Sequence, residues 1–167
     1  MLNAHQIIDE GLLQLEKTHG KPAQVGYDLS LKQVNKLESS VKIGKVLKDK
    51  TELMNYIPYG LMNLDGKHGW LLYKGVYDIT FNEGCKIPNN RVAFIKQRSS
   101  LYRNGAIINS PVFDPGFETE FMGTLLYVHE TLFIEENARV AQIYFHECAP
   151  AEMYDGQFQF DMQRNRQ

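Results

Sequence analysis

Residues 91–128 read RVAFIKQRSSLYRNGAIINSPVFDPGFETEFMGTLLYV, and this stretch decides the fold. Three of its runs, Arg91 to Gln97, Gly105 to Asn109 and Gly123 to Val128, are short, largely apolar and enriched in Val, Ile and Leu, as strands are. Asn104-Gly105 and Asp114-Pro115-Gly116 separate them with residues that set turn geometry. The same grammar continues outward. Val25 to Leu31, Trp70 to Tyr77, Thr131 to Ile134 and Ala141 to His146 read as further strands, with Asp65-Gly66 and Pro88-Asn89-Asn90 as turns. Short strands with turn formers every ten residues or so predict an all-β protein, a barrel or sandwich.

The N-terminus differs. Ile7, Ile8, Leu12 and Leu15 recur at helical spacing, and Asn3 can cap the first turn with Gln6 three residues later. A helix is therefore expected within residues 1–20, ending before His19-Gly20-Lys21-Pro22. The segment Lys32 to Asn55 is polar and lysine-rich, which suits a solvated insertion or outer hairpin. Residues 150–167 read as a C-terminal tail; its end, Gln157 to Gln167, is polar and mobile unless something docks it.

The whole chain of 167 residues fits one domain. Its 18 Lys and Arg against 20 Asp and Glu give a net charge of −2, which excludes a basic nucleic-acid coat but leaves room for a local anion pocket. Cys85 and Cys148 are too few for a disulfide framework and lack zinc-ligand spacing, so both read as reduced thiols. No apolar run approaches the roughly 20 residues of a membrane span, and the N-terminus lacks the pattern of a signal peptide, so a cytoplasmic protein is expected.

Several familiar chemistries have no motif here. The sequence contains no GxxxxGK[ST] phosphate loop, no strand–GxGxxG–helix unit and no HxE with PCxxC, and its five histidines show no ligand pattern. Phosphate chemistry would have to rest on loops. Arg98-Ser99-Ser100-Leu101 places a guanidinium, two hydroxyls and backbone amides at a strand end, a set that suits phosphate oxygens or simply forms an exposed turn. In Asn109-Ser110-Pro111-Val112-Phe113-Asp114-Pro115-Gly116-Phe117 a carboxylate sits in a tight turn beside an aromatic ring. That carboxylate can serve chemistry or hydrogen-bond its own backbone.

Four blocks in order resemble the trimeric dUTPases and the dCTP deaminases that share their fold. They are Gly26-Tyr27-Asp28-Leu29, Ile87-Pro88 through Gly105, Asn109 to Phe117, and Asn137-Ala138-Arg139-Val140-Ala141-Gln142-Ile143-Tyr144-Phe145. The resemblance implies a distorted barrel or jelly roll of dUTPase type with a short N-terminal helix, a homotrimer with sites between subunits, and a pyrimidine nucleotide substrate. Asn137 replaces the usual glycine of the fourth block; asparagine tolerates the left-handed backbone that glycine supplies. The glycine-rich C-terminal arm of dUTPases is absent, and Tyr154-Asp155-Gly156-Gln157-Phe158-Gln159 resembles the ending of the deaminase branch.

In that branch a glutamate ten residues beyond the hairpin aspartate shuttles protons. Counted from Asp114 the position is Thr124, or Val128 if Gly123 marks the register and the chain bulges at Glu118 to Phe121; only a shift bringing in Glu120 or Glu130 restores a carboxylate. The resemblance therefore favours dUTP diphosphatase chemistry. Asp114 activates water for attack on the α-phosphorus; Arg98, Ser99, Ser100, Gln142 and Arg103 hold phosphates; Gly105 and Asn109 face the base; and Phe117 packs beneath deoxyribose. Mg2+ rides on the triphosphate, with Asp28 touching its water shell or acting only structurally. Lys96, with Arg164 and Arg166 on the tail, could add positive charge. A dCTP deaminase, a pyrophosphatase acting on another pyrimidine nucleotide, and a catalytically silent nucleotide-binding member of the fold remain as alternatives.

Overall fold

The computed structural model describes residues 1–159. Six strands, Arg91–Gln97, Arg139–Glu147, Tyr27–Glu38, Gly75–Phe81, Gly123–Val128 and Ala106–Asn109, lie side by side in that order, every neighbour antiparallel. Four residues past the last of them, Phe113 reaches back to the first. It exchanges two backbone hydrogen bonds with Ala93, of 3.0 and 3.1 Å. That bridge brings the two edges of the sheet together and nearly closes it into a barrel, as the all-β expectation required.

Burial follows the pleat. Ala106 and Ile108 point inward while Ile107 and Asn109 face out. Phe81, Phe145, Leu29, Leu31, Ile79, Ile143 and Leu126 are fully enclosed between the walls. Fully burying one such side chain stabilises the fold by about 1.5–3 kcal/mol, so the barrel interior is the main source of its stability.

The ends of the strands at residues 91–97 and 123–128 fall where the sequence predicts, but other elements depart from expectation. The N-terminal helix is only Ala4–Asp9. Its capping box forms as read, with Asn3 and Gln6 each accepting the other's backbone N–H at 3.0 Å. Gly11 then turns left-handed at φ +64°, and Leu12 and Leu13 drop into the core along a new path. The stretch Trp70 to Tyr77 is not one strand: it contains the end of Lys67–Leu72, a turn at Tyr73-Lys74, and the start of Gly75–Phe81.

The polar segment from Lys32 is not wholly an insertion either. Tyr27–Glu38 runs as one strand of 12 residues, with Val34 fully buried and Asn35 inside the sheet. Lys36 is exposed and Lys32 lays its ammonium over the Phe121 ring, 3.1 Å from the centroid, while the backbone pairs with Gly75–Phe81 and, from Asn35 on, with Asn55–Pro58. The exposed part is shorter: an arm in which Lys45–Val46 pairs Thr51–Glu52. Asn137 adopts the expected left-handed backbone, φ +62°, and its side-chain oxygen accepts a 2.9 Å hydrogen bond from Asn82. Among the described residues no helix is long and apolar enough to cross a membrane.

Candidate active site

Asp114 follows directly on the bridge that closes the barrel. Its carbonyl accepts the Phe117 N–H at 3.1 Å, and Gly116 between them has φ +88°, so Asp114-Pro115-Gly116-Phe117 is a type II turn. The Asp114 carboxylate is exposed, and among the described residues it makes no hydrogen bond to its own turn. It faces a cavity of about 300 Å³ lined by Phe113, Phe117, Phe121, Met122 and Gly123, with Leu53 and Tyr56 from the arm and Tyr154 and Phe158 from the C-terminal segment. Asp114 is the single carboxylate among the described residues that line it.

Aromatic packing fixes this wall. The Phe117 ring meets Phe113 edge-on with centroids 5.6 Å apart, and Tyr154 at 5.7 Å. The C-terminal segment passes close over the turn: the Tyr154 N–H donates to Pro115 O at 2.7 Å and Gln159 Nε2 donates to Gly116 O at 2.8 Å. A Cβ on Gly116 would lie 2.6 Å from the Tyr154 nitrogen, so glycine is required here by the passing chain as well as by its positive φ. Residues 154–159 of the sequence's tail are thus docked; Arg164 and Arg166 lie outside the described residues.

A second cleft, of about 710 Å³ and strongly polar, is lined by Lys21, Gln24, Asp28, Arg98, Ser99 and Gln142. Arg98 precedes the one-turn helix Ser99–Arg103 at the strand end and makes no side-chain hydrogen bond to that helix's first turn. Asp28, nearly buried, holds Arg98 at 3.3 Å and Arg139 at 3.8 Å, and Arg98 Nη1 also donates to Arg139 O at 3.2 Å. Gln142 stands on the neighbouring strand and donates its side-chain N–H to Val25 O. A backbone–carboxylate network supports this floor from below. Buried Glu83 accepts from Ser30 N at 2.9 Å, Ser30 Oγ at 2.7 Å, Gly20 N at 3.2 Å and the Thr18 hydroxyl, which pins the chain just before Lys21.

The structure therefore gathers Arg98, Ser99, Gln142 and Asp28 in one cleft, and Asp114 and Phe117 in another that shares no lining residue with it. Arg103 and Ser100 are exposed on the short helix. Gly105 ends that helix at φ +75°, and Asn109 sits at the other end of its strand, its carbonyl accepting the Thr124 hydroxyl at 2.8 Å. The alternative carboxylates lie elsewhere: Glu120 is ion-paired to Lys17 at 3.1 Å, and Glu130 is exposed in the turn after Val128. Thr124 and Val128 are buried in the barrel sheet. Sequence reading missed Arg139, Leu53, Tyr56 and Phe158. Arg139 stood in a quoted block, but its role depends on a partner 111 positions away.

The fold is a nearly closed β-barrel that carries two separate clefts. A family model described as dCTP deaminase-like matches residues 2–148, and the chain belongs to that family. It is 36% identical over 136 residues to the deoxyuridine 5'-triphosphate nucleotidohydrolase of Methanocaldococcus jannaschii, covering 80% of this chain and 83% of the relative. It is 33% identical over 138 residues to a probable enzyme of the same name from Methanosarcina mazei, covering 80% and 78%. Two solved structures share the fold: the dCTP deaminase of Agrobacterium tumefaciens (TM-score 0.59, 15% identity, 86% of this chain and 47% of that one) and the EIAV dUTPase (TM-score 0.52, 13% identity, 87% and 97%).

Proposed function

We propose that this chain is a dUTP diphosphatase. The carrying observation is Asp114, the one carboxylate among the described residues facing the cavity, free of its own turn; the names borne by the archaeal relatives support the same substrate. In the proposed reaction Asp114 takes a proton from a water whose oxygen attacks the α-phosphorus. The bond from that phosphorus to the bridging oxygen breaks, giving dUMP and pyrophosphate. Phe117 packs beneath the deoxyribose, Asn109 and the Gly105 to Pro111 backbone read the base, and Arg98, Ser99, Ser100 and Gln142, with Arg103, hold the phosphates.

Mg2+ fits this reading as a passenger of the triphosphate. Among the described residues no cluster of three or more His, Cys, Asp or Glu could cage a cation, and Asp28 is taken up by two arginines. Magnesium tends to be held through substrate phosphates and its own waters, where it offsets developing charge.

The separation of the clefts supports the homotrimer, with sites between subunits, that the resemblance implies. Arg98 lies five residues beyond Ala93, the partner of Phe113, which is roughly 16 Å along a strand. A complete site therefore needs the Arg98 cleft of one copy beside the Asp114 cavity of another. An apolar row, Val76, Tyr127 and Ile107, aligned across three strands and partly exposed, offers a face for such contact. A free nucleotide substrate suits a cytoplasmic location.

The family model's description favours a second reading, deamination of dCTP. It needs a second carboxylate, and Glu120 is engaged by Lys17 and is not among the described residues that line the Asp114 cavity. Incubating the protein with Mg2+ and each deoxynucleoside triphosphate, and measuring pyrophosphate and ammonia separately, distinguishes them. Pyrophosphate from dUTP without ammonia is expected; ammonia from dCTP supports deamination, and nucleotide binding without either product a silent member of the fold.

A further inference from the structure

The exposed arm around residues 41–52 is weakly anchored by its own packing. Val41, Ile43 and Val46 are 78%, 69% and 89% exposed, and Glu52 is held below the usual carboxylate range by Lys50 and Lys45 at the surface. Yet Leu53 and Tyr56 turn inward and line the cavity that holds Asp114. Tyr56 is placed by its strand, where it pairs opposite Leu37, and the chain leading into Leu53 is held at Thr51 by the C-terminal segment. The Gln157 side chain accepts from Thr51 N at 3.2 Å and donates to Thr51 O at 2.8 Å, filling both backbone groups as a neighbouring strand would. Two residues on, Gln159 does the same at the other wall, donating to Gly116 O at 2.8 Å and accepting from Glu118 N at 3.2 Å.

We infer that the arm is part of the nucleotide site: Leu53 and Tyr56 form the substrate-contacting wall opposite Phe117, and Gln157 and Gln159 tie that wall to the Asp114 turn through the C-terminal segment. The identity of the nucleotide rests on the reading above, whereas the tie stands on this geometry alone. The chain turns at Gly156 to Gln159, with Gln159 N–H donating to Gly156 O at 3.1 Å, so the two glutamines reach different walls and one short segment staples the arm to the Asp114 turn. The substrate pocket is closed by the arm and the segment acting together, and loosening either opens both.

Trypsin reads the arm directly at Lys42, Lys45, Lys48 and Lys50. In the ligand-free protein Gln157→Leu, which keeps side-chain bulk but loses both hydrogen bonds, raises arm cleavage by about tenfold, as expected for two lost bonds governing a local opening. Saturating α,β-imido-dUTP with Mg2+ slows arm cleavage in the wild type and does so far less in Gln157→Leu. Leu53→Ala and Tyr56→Ala raise KM for dUTP about five- to tenfold with kcat within about twofold, because they remove binding made equally before and during reaction. Equal arm cleavage in wild type and Gln157→Leu overturns the tie. Unchanged KM in both wall variants overturns the contact. If the wild type neither binds nor hydrolyses dUTP, the proposed function fails, and the ligand-free cleavage comparison still decides the tie.

Discussion

Asp28 stands 3.3 Å from Arg98 Nε and 3.8 Å from Arg139 Nη1, with only 7% of its own side chain exposed. One buried carboxylate thereby orients the two guanidinium groups beside the polar cleft, and Arg98 keeps its outer edge turned toward it. Asp28→Asn removes the charge that holds both. KM for dUTP is expected to rise about fivefold with little change in kcat, and stability to fall by about 1–3 kcal/mol as two arginines lose their shared partner. Steady-state kinetics beside urea unfolding check it; an unchanged KM would remove the pair from phosphate binding.

Attack at the α-phosphorus leaves an isotopic record. Turnover of dUTP in 18O-labelled water should put the label in dUMP, and mass spectrometry of the two products reads it. Label in pyrophosphate would mean attack at the β-phosphorus and a different placement of Asp114.

Glu83 is fully buried and its partners are neutral donors: Ser30, Thr18 and Gly20. Glu83→Leu would leave these donors unpaired inside the protein, at a cost of roughly 1–3 kcal/mol for each donor left unsatisfied. Urea denaturation measures it. A loss under about 1 kcal/mol would show that water or rearrangement satisfies these groups equally well.

Burial, reinforced by Glu118, pushes the Cys85 thiol well above its ordinary range. An unfolded chain releases this proton near pH 8.5 while the folded protein keeps it. The thiol's contribution is therefore fully present below that pH and declines as pH rises above it, by up to about 1.4 kcal/mol per unit. Thermal melts of wild type and Cys85→Ala between pH 7 and 10 should show a steeper alkaline decline in the wild type, and parallel curves would contradict this. A thiol reagent on the folded protein should label half-exposed Cys148 and spare Cys85.

The barrel was legible where a strand has a patterned face and a strong terminator. Arg91–Gln97 and Gly123–Val128 match their predicted ends because Arg98-Ser99 opens a helix and His129-Glu130 a turn. The longest strand was half hidden, since Lys32, Gln33 and Lys36 look solvated although the backbone there pairs with Gly75–Phe81 and, from Asn35 on, with Asn55–Pro58 as well. Gly11 ended the helix early, and the apolar spacing beyond it belonged to a chain entering the core. In the candidate site, the residue types of Arg98, Ser99, Gln142 and Asp114 and the family likeness pointed to residues that do line clefts. Their division between two clefts was not, because it depends on the Ala93–Phe113 closure, a pairing across 20 positions that no local pattern encodes. The places of Leu53 and Tyr56 on the cavity wall and of Gln157 against Thr51 were invisible for the same reason: each depends on segments far apart in sequence coming together.

The role of Asp114 is tested most directly by Asp114→Asn, with turnover measured by pyrophosphate release and affinity by calorimetry with α,β-imido-dUTP. Turnover should fall by at least about 100-fold while affinity stays within a few fold and the melting temperature is unchanged, since the base is lost and the phosphate contacts remain. Retained turnover, or a loss of activity that merely tracks a loss of folding, would contradict an Asp114-activated water.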